Sequence, residues 1–196
     1  MASSTDELQD LVLLETAIWQ LLARGAVDSR HAFKLCSLAT VTPQGLPDTR
    51  MVVLRQCDKA LKTLSFHTDA RSGKMGQLAG QPQVCMLFWD PKQSLQLRVY
   101  GLAQLHHLNE TALAKVQNLP AGQKELFGFE AAPGSVRVAT GVSPTFKEEL
   151  VARHFCWINL KVTRIDALHL GRSGVHTRAC FEYAENDSIA RYWLVP

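Results

Sequence analysis

The chain has 196 residues, of which 46% are hydrophobic and 20% charged, the composition of an ordinary globular protein rather than a disordered or fibrous one. A folded chain of this length buries roughly 70% of the surface its unfolded form exposes, so it needs neither a disulfide framework nor a structural metal. One domain over residues 1–196 is expected. Lys and Arg number 21 against 18 Asp and Glu, with no run of five like charges, which excludes the clustered basic footprint of a nucleic-acid binder.

No stretch approaches the ~18 uninterrupted apolar residues of a membrane span. The first thirty residues carry Asp6, Glu7, Asp10 and Glu15 among their apolar positions, unlike a signal peptide. A cytoplasmic protein with no membrane partner is expected. Cys36, Cys57, Cys85, Cys156 and Cys180 are odd in number and form no CxxC, so they read as reduced, mostly buried side chains, and no metal site is expected.

In chain order, Leu8, Leu11, Val12, Leu14, Ile18, Leu21 and Leu22 recur at helical spacing and predict a helix over Thr5–Arg24, the element of region 1–25, with Thr5 or Asp6 as N-cap and Gly25 as its stop. Phe33–Val41 and Thr49–Arg55 read as strands joined through the turn Pro43–Pro47, where Gly45 can take positive φ. Lys62–Thr68 is a third strand. Ser72 is the expected N-cap of a short helix, Gly73–Gly80. Val84–Trp89 and Leu95–His106 are strands across a polar turn at Asp90–Gln93. Residues 109–150 break the β rhythm as a helical insertion: a helix near Asn109–Asn118, a loose Gly/Pro segment, and a short helix after Ser143-Pro144. Residues 154–196 supply closing strands at His154–Ile165, Thr177–Tyr183 and Ile189–Leu194.

Seven or eight short strands with hairpin turns and a few helices predict an antiparallel barrel or sandwich, mainly β with flanking helices, rather than a βαβ fold. Neither GxGxxG nor GxxxxGK[ST] occurs, so any phosphate site must be built from side chains.

Two segments offer such side chains. Alternation along Arg50-Met51-Val52-Val53-Leu54-Arg55 puts Arg50 and Arg55 on opposite faces, so this stretch alone is compatible with two strand-end arginines in solvent. In Phe66-His67-Thr68-Asp69-Ala70-Arg71-Ser72-Gly73-Lys74 a strand runs into a helix start whose N–H groups favour an anion, with Thr68, Arg71, Ser72 and Lys74 able to donate. By itself this loop is equally compatible with a capped surface turn.

Together with Pro82–Trp89 and Gln96-Leu97-Arg98-Val99-Tyr100-Gly101-Leu102-Ala103, these motifs resemble, in order and spacing, the pyridoxamine 5'-phosphate oxidase family of FMN-binding split β-barrels. The likeness covers Phe33–Leu105, resumes near His154, and ends in Arg191-Tyr192-Trp193-Leu194-Val195-Pro196, which echoes the family's closing Arg-Leu-x-Pro. The resemblance implies FMN as cofactor and a homodimer with flavin sites at its interface. It implies that Arg50, Met51, Val52 and Val53 line the flavin with Arg50 on its phosphate, and that Lys74 is the phosphate lysine. It places His67-Thr68 where the family has Tyr-Thr, and Gly73 where it has an arginine that Arg71 replaces. Gln96 approaches the ring and Arg178 closes on it, while Leu168 takes the place of a tryptophan.

The substrate half of the pattern is thinner. Arg55 stands where the family often has a substrate-facing lysine, and His176 is what remains of an Arg-x-His pair whose arginine is Gly174 here. Between about Leu119 and Val138, where the family keeps a Tyr, Arg and Ser cluster for the substrate phosphate, Leu119-Pro120-Ala121-Gly122-Gln123-Lys124 shows no such pattern, and the segment offers only Lys124 and Arg137 as cations. The sequence therefore looks like a divergent branch: an FMN-dependent oxidoreductase acting on a small-molecule substrate, with weak or no oxidation of vitamin B6 phosphates. A non-catalytic carrier of FMN, haem or another planar group, and a genuine pyridoxamine 5'-phosphate oxidase, are the alternatives.

Other residues read as structural. His106 and His107 point to opposite strand faces, His154 and Cys156 share a face of the core, and Trp19, Trp89 and Trp157 are core or interface anchors, with Trp193 the one that could meet the flavin.

Overall fold

The computed structural model describes residues 4–136, 145–171 and 174–196. Its frame is a pair of long strands, β6 (Leu95–His107) and β7 (Phe155–Leu170), antiparallel along their whole length. Gly101 marks the register shift in β6, where a Cβ would lie 2.2 Å from the Lys161 carbonyl oxygen, so only glycine lets the two backbones approach.

The sheet divides at β7. Its first half pairs with β4 (Thr63–Asp69), followed by β3 (Gln56–Asp58), and its second half with β8 (His176–Tyr183), followed by β9 (Ile189–Leu194). On the far side of β6 come β5 (Gln83–Asp90), β1 (Leu35–Val41) and β2 (Pro47–Val53). The result is a nine-stranded antiparallel sheet wrapped around one apolar face, the expected split barrel. The β1–β2 hairpin forms as expected, with Gly45 at φ 79° in its turn.

The strand alternation is clean. In β6, Leu95, Leu97 and Val99 face the core, while Gln96, Arg98 and Tyr100 face outward. In β1 and β2, Leu38 and Val52 point in, while Leu35, Met51 and Val53 point out.

Helix α1 (Ser4–Val27) closes the core with Leu11, Ile18, Trp19, Leu22 and Ala26. Its bounds differ from expectation. Thr5 and Asp6 lie inside its first turn, Val12 is exposed, and Gly25 is within the helix rather than its stop. Gly25 is there for packing, since a Cβ would sit 2.8 Å from Phe33 Cβ. The chain then makes a 3-10 turn, Ala32–Lys34, so β1 begins two residues later than expected.

Helix α2 (Gly73–Gly80) has its expected bounds and plants Leu78 in the core. The region expected as loose holds more helix than its Gly and Pro suggest. After α3 (Glu110–Gln117), capped by Asn109 Oδ1 on Ala112 N at 3.0 Å, come α4 (Ala121–Lys124), a 3-10 turn at Glu125–Phe127, and α5 (Glu148–His154). These bury a second cluster, Ala112, Val116, Phe127, Val151, Phe155 and Trp157, against the outer side of β7. Ser143, Pro144 and Arg137 lie outside the described residues. No helix among those described is long and apolar enough to cross a membrane.

Candidate functional site

Strand β4 ends and α2 begins within four residues, which brings Thr68, Ser72 and Lys74 together. Lys74 Nζ donates to Thr68 Oγ1 at 2.8 Å and to Ser72 Oγ at 3.1 Å, and the two hydroxyls are 3.4 Å apart. Ser72 occupies the N-cap position but makes no side-chain cap bond, so its hydroxyl serves the lysine instead. Lys74 pairs with no carboxylate among the described residues. Burial first, and the neighbouring Arg50 charge second, push its pKa below the usual lysine value. A half-buried ammonium flanked by two hydroxyls, a guanidinium and the positive end of α2 is a donor set for a phosphate monoester.

Arg50 reaches the same corner from β2. Its guanidinium donates to the Leu38 carbonyl oxygen at 3.4 Å, to Gln77 Oε1 of α2 at 2.9 Å, and to Thr40 Oγ1 and Asp48 Oδ2. Gln77 Nε2 also donates to Asp48 at 2.8 Å, which closes a ring of polar contacts over the β1–β2 hairpin.

The structure separates other residues expected beside them. Val52 points into the core on Arg50's side, while Met51, 61% exposed, and Val53 lie on the opposite face. Arg71 does not join the cradle: its guanidinium makes 3.0 and 2.7 Å bonds to the two oxygens of Asp69 and a 2.7 Å bond to the Glu130 carbonyl. The Asp69 carboxylate, two residues before it, holds the guanidinium in this position.

Arg55 is not on β2, which stops at Val53. Leu54 N bonds the Lys34 carbonyl and Arg55 N the Ser65 carbonyl, so the backbone crosses here toward β4. Arg55 Nε is buried without a partner, and desolvation lowers the guanidinium's pKa. His67 packs against the Phe127 and Phe155 rings, which also touch each other, and shares a 3.2 Å hydrogen bond with Gln123 Oε1. Burial, then the Arg55 charge, pushes its pKa down to about 4, so the imidazole is neutral at pH 7.

Gln96, Leu168 and Arg178 form a single row across β6, β7 and β8, in register as Gln96↔Leu168 and Leu168↔Arg178. This row is on the outward face; the Lys74 cradle opens at the core-side end of β4 and β2. Within one chain the two groups therefore lie on opposite faces of the sheet.

The row rests on a residue that the motif comparison passed over. Asp166 of β7 binds both Arg178 and Arg98. Its signal was present as the one acidic residue of β7, two places from Leu168 and therefore on the same face.

His106 and His107 bond to different partners, Asn109 and Asn159 for the first and the Arg153 carbonyl for the second. His154 ends α5 with Nδ1 2.8 Å from the Phe127 carbonyl oxygen, so it does not share a strand face with Cys156. Trp19 and Trp157 are buried, whereas Trp89 and Trp193 are exposed. His176 is exposed at the start of β8. The cysteines are free: Cys36, Cys156 and Cys180 are buried, Cys57 and Cys85 partly so.

The molecule is an antiparallel split barrel with a phosphate-type donor cluster where a strand enters a short helix. Residues 16–107 match the family model "Pyridoxamine 5'-phosphate oxidase, FMN-binding domain". The pyridoxine/pyridoxamine 5'-phosphate oxidase of Chromohalobacter salexigens is 42% identical over 65 residues, 33% of this chain and 29% of that protein. That of Granulibacter bethesdensis is 35% identical over 88 residues, 43% of this chain and 40% of that protein. The chain thus matches well under half of these curated relatives. Among solved structures, a pyridoxamine 5'-phosphate oxidase-related, FMN binding protein from Nostoc punctiforme superposes with TM-score 0.76 at 26% identity, covering 92% of this chain and 96% of that one. PhzG from Burkholderia lata, solved with tetrahydrophenazine-1-carboxylic acid, shares the fold at TM-score 0.66 and 16% identity, covering 100% of this chain and 94% of that one. Residues 16–107, just under half of the chain, thus resemble that FMN-binding domain, and the chain shares the fold of the Nostoc punctiforme protein over nearly its whole length.

Proposed function

We propose that the protein is an FMN-dependent oxidoreductase that works as a homodimer and uses vitamin B6 phosphates poorly as substrates. The observation that carries this reading is the bond pattern of Lys74: an ammonium held by Thr68 and Ser72, its pKa lowered by burial and by the nearby Arg50 charge. One phosphate satisfies this donor set, which favours FMN over a dinucleotide. Bound FMN would supply the redox chemistry. The chain's own part is to hold the phosphate with Arg50, Thr68, Ser72 and Lys74; Met51 and Val53, on the outward face with the Gln96 row, would line the ring of the flavin held by the second copy.

Gln96 and Arg178 lie on the other face of the sheet, so they reach a flavin only across a two-fold interface, from a second copy. The outward face offers surface for that copy: Leu35, Met51, Leu87 and Trp89 are exposed there, next to the row.

A second phosphate, on the substrate, finds little. Lys124 borders a cavity it shares with Glu125 and Glu148, two carboxylates that oppose a dianion. Gly174, in the place of the family's arginine, has φ 78°, a conformation a larger side chain adopts only with strain. Arg55 and exposed His176 are left to receive a smaller or neutral substrate.

The test is an FMN titration of wild type, Arg50→Ala and Lys74→Ala. Loss of one charge-assisted contact, about 1.5–3 kcal/mol, weakens binding roughly 10- to 150-fold. Unchanged affinity in both variants would place the phosphate elsewhere. Formation of pyridoxal 5'-phosphate near one turnover per second by the FMN-loaded protein would sink the substrate claim, and a monomer that still holds FMN would sink the shared site.

A further inference from the structure

The guanidinium of Arg178 is held by other residues of its own chain. Asp166 sits opposite Arg98 and diagonal to Arg178, which is two residues from its own β8 partner, Cys180. Arg178 Nε donates to Asp166 Oδ1 at 3.1 Å and Nη2 to Oδ2 at 2.8 Å, while Arg98 Nη2 donates to the same Oδ2 at 2.6 Å. The Asp166 side chain is 6% exposed, that of Arg178 28% and that of Arg98 36%. The carboxylate thus lies beneath and two cations lie above it. Burial works against ionised Asp166, but the bonds from Arg178 and Arg98 outweigh it, so its pKa stays below the ordinary value. Arg98 Nε is buried with no partner, leaving Arg98 tied to Asp166 through one nitrogen only.

Two guanidiniums on one carboxylate leave one net positive charge. Arg164 and Glu182, register partners in the adjoining row, add no net charge. Tyr100, with the Arg164 guanidinium 3.9 Å from its ring centroid, walls off one side.

We propose that Asp166 and Arg98 are the positioning residues for Arg178, fixing its guanidinium in the Gln96 row and setting the charge presented there to a single positive unit. The inference rests on the flavin reading above. A buried carboxylate with bidentate contact restricts the guanidinium plane far more than solvent does. Reduction makes a flavin more negative, so positive charge held beside it favours the reduced form. Removing the carboxylate and removing the second cation therefore act in opposite directions, a signature that loss of mere structural support does not produce.

The experiment measures the midpoint potential of FMN-loaded wild type, Asp166→Asn, Asp166→Glu and Arg98→Gln, with FMN affinity determined separately. Asp166→Asn is expected to raise the redox equilibrium constant about tenfold, a shift of about +30 mV for a two-electron couple, and Arg98→Gln to lower it by a similar factor. Asp166→Glu is expected to return the potential toward wild type. FMN affinity, governed by the cradle, should change by less than about threefold. Shifts of the same sign, or none, overturn the inference. If Asp166→Asn does not fold, Arg98→Gln decides alone, because it leaves the Asp166–Arg178 pair in place and an unmoved potential refutes the charge argument. Wild type without bound FMN would remove the flavin reading and this inference together; normal loading with unmoved potentials would remove only the inference.

Discussion

Arg50 and Arg178 each meet a carboxylate, but the two pairs are built differently. Asp48, beside Arg50, has a side chain 43% exposed at the rim of a hairpin, whereas Asp166, beneath Arg178, is 6% exposed. An exposed pair is screened and contributes about 0–1 kcal/mol, so Arg50 can exchange Asp48 for a phosphate at small cost. A buried pair cannot be opened without stranding a charge, so Arg178 stays where Asp166 puts it. Arg55 is the third case, with Nε buried and no carboxylate at all among the described residues. The lesson is that the depth of the counter-ion separates an arginine meant to take a ligand from one meant to hold a position.

The largest effect expected from this contrast is on stability. Asp166→Ala leaves Arg98 and Arg178 without their shared acceptor and should cost about 3 kcal/mol in urea unfolding, at the low end of buried-pair losses because both arginines are partly exposed. A loss below about 1 kcal/mol would put Asp166 in the same class as Asp48 and dissolve the comparison.

Next comes the unpaired arginine and its neighbour. His67 has its pKa depressed from 6.5 to about 4 in the folded protein, so the unfolded chain takes up this proton first as pH falls. The stabilisation is present above about pH 6.5 and is lost progressively toward pH 4, amounting to about 2 kcal/mol by pH 5. His67→Gln, which keeps a partner for Gln123, should flatten stability over that window relative to wild type. Arg55→Met should raise the His67 pKa only part of the way, since burial is the larger cause and the Arg55 charge the second. Titration by NMR checks both; a full return to 6.5 in Arg55→Met would mean that charge, not burial, dominates.

Much of this was legible in the sequence, and for definable reasons. Thr68, Ser72 and Lys74 come from one continuous stretch, so local rules for strand ends and helix starts brought them out as donors, but only the family resemblance joined them to Arg50. Ile189–Leu194 and Gly73–Gly80 have their expected bounds because alternation and the Ser72 start are local signals too. Asp166 escaped because its partners are 68 and 12 residues away, and only the register of β6, β7 and β8 joins them. The Arg71–Asp69 pair was not legible because a donor count along the chain does not reveal which carboxylate an arginine meets. The helices at Ala121–Lys124 and Glu125–Phe127 are too short to carry a period and are held by burial of Phe127 against Phe155.

The smallest effect expected is the most specific to the cradle. If Asp48 competes with a ligand phosphate for Arg50, then Asp48→Asn removes one negative charge from the rim while keeping a side chain able to meet Gln77. The opposing argument is that Asp48 orients Arg50, in which case its loss weakens binding. Three other acceptors, Leu38 O, Thr40 Oγ1 and Gln77 Oε1, already hold the guanidinium, so orientation survives and the charge term should win. At the worth of an exposed pair, 0.2–1 kcal/mol, FMN affinity should rise by about 1.5- to 5-fold, more at low salt than at high. A weaker FMN complex in Asp48→Asn would instead make Asp48 a positioning residue and bring the two arginine sites under one rule.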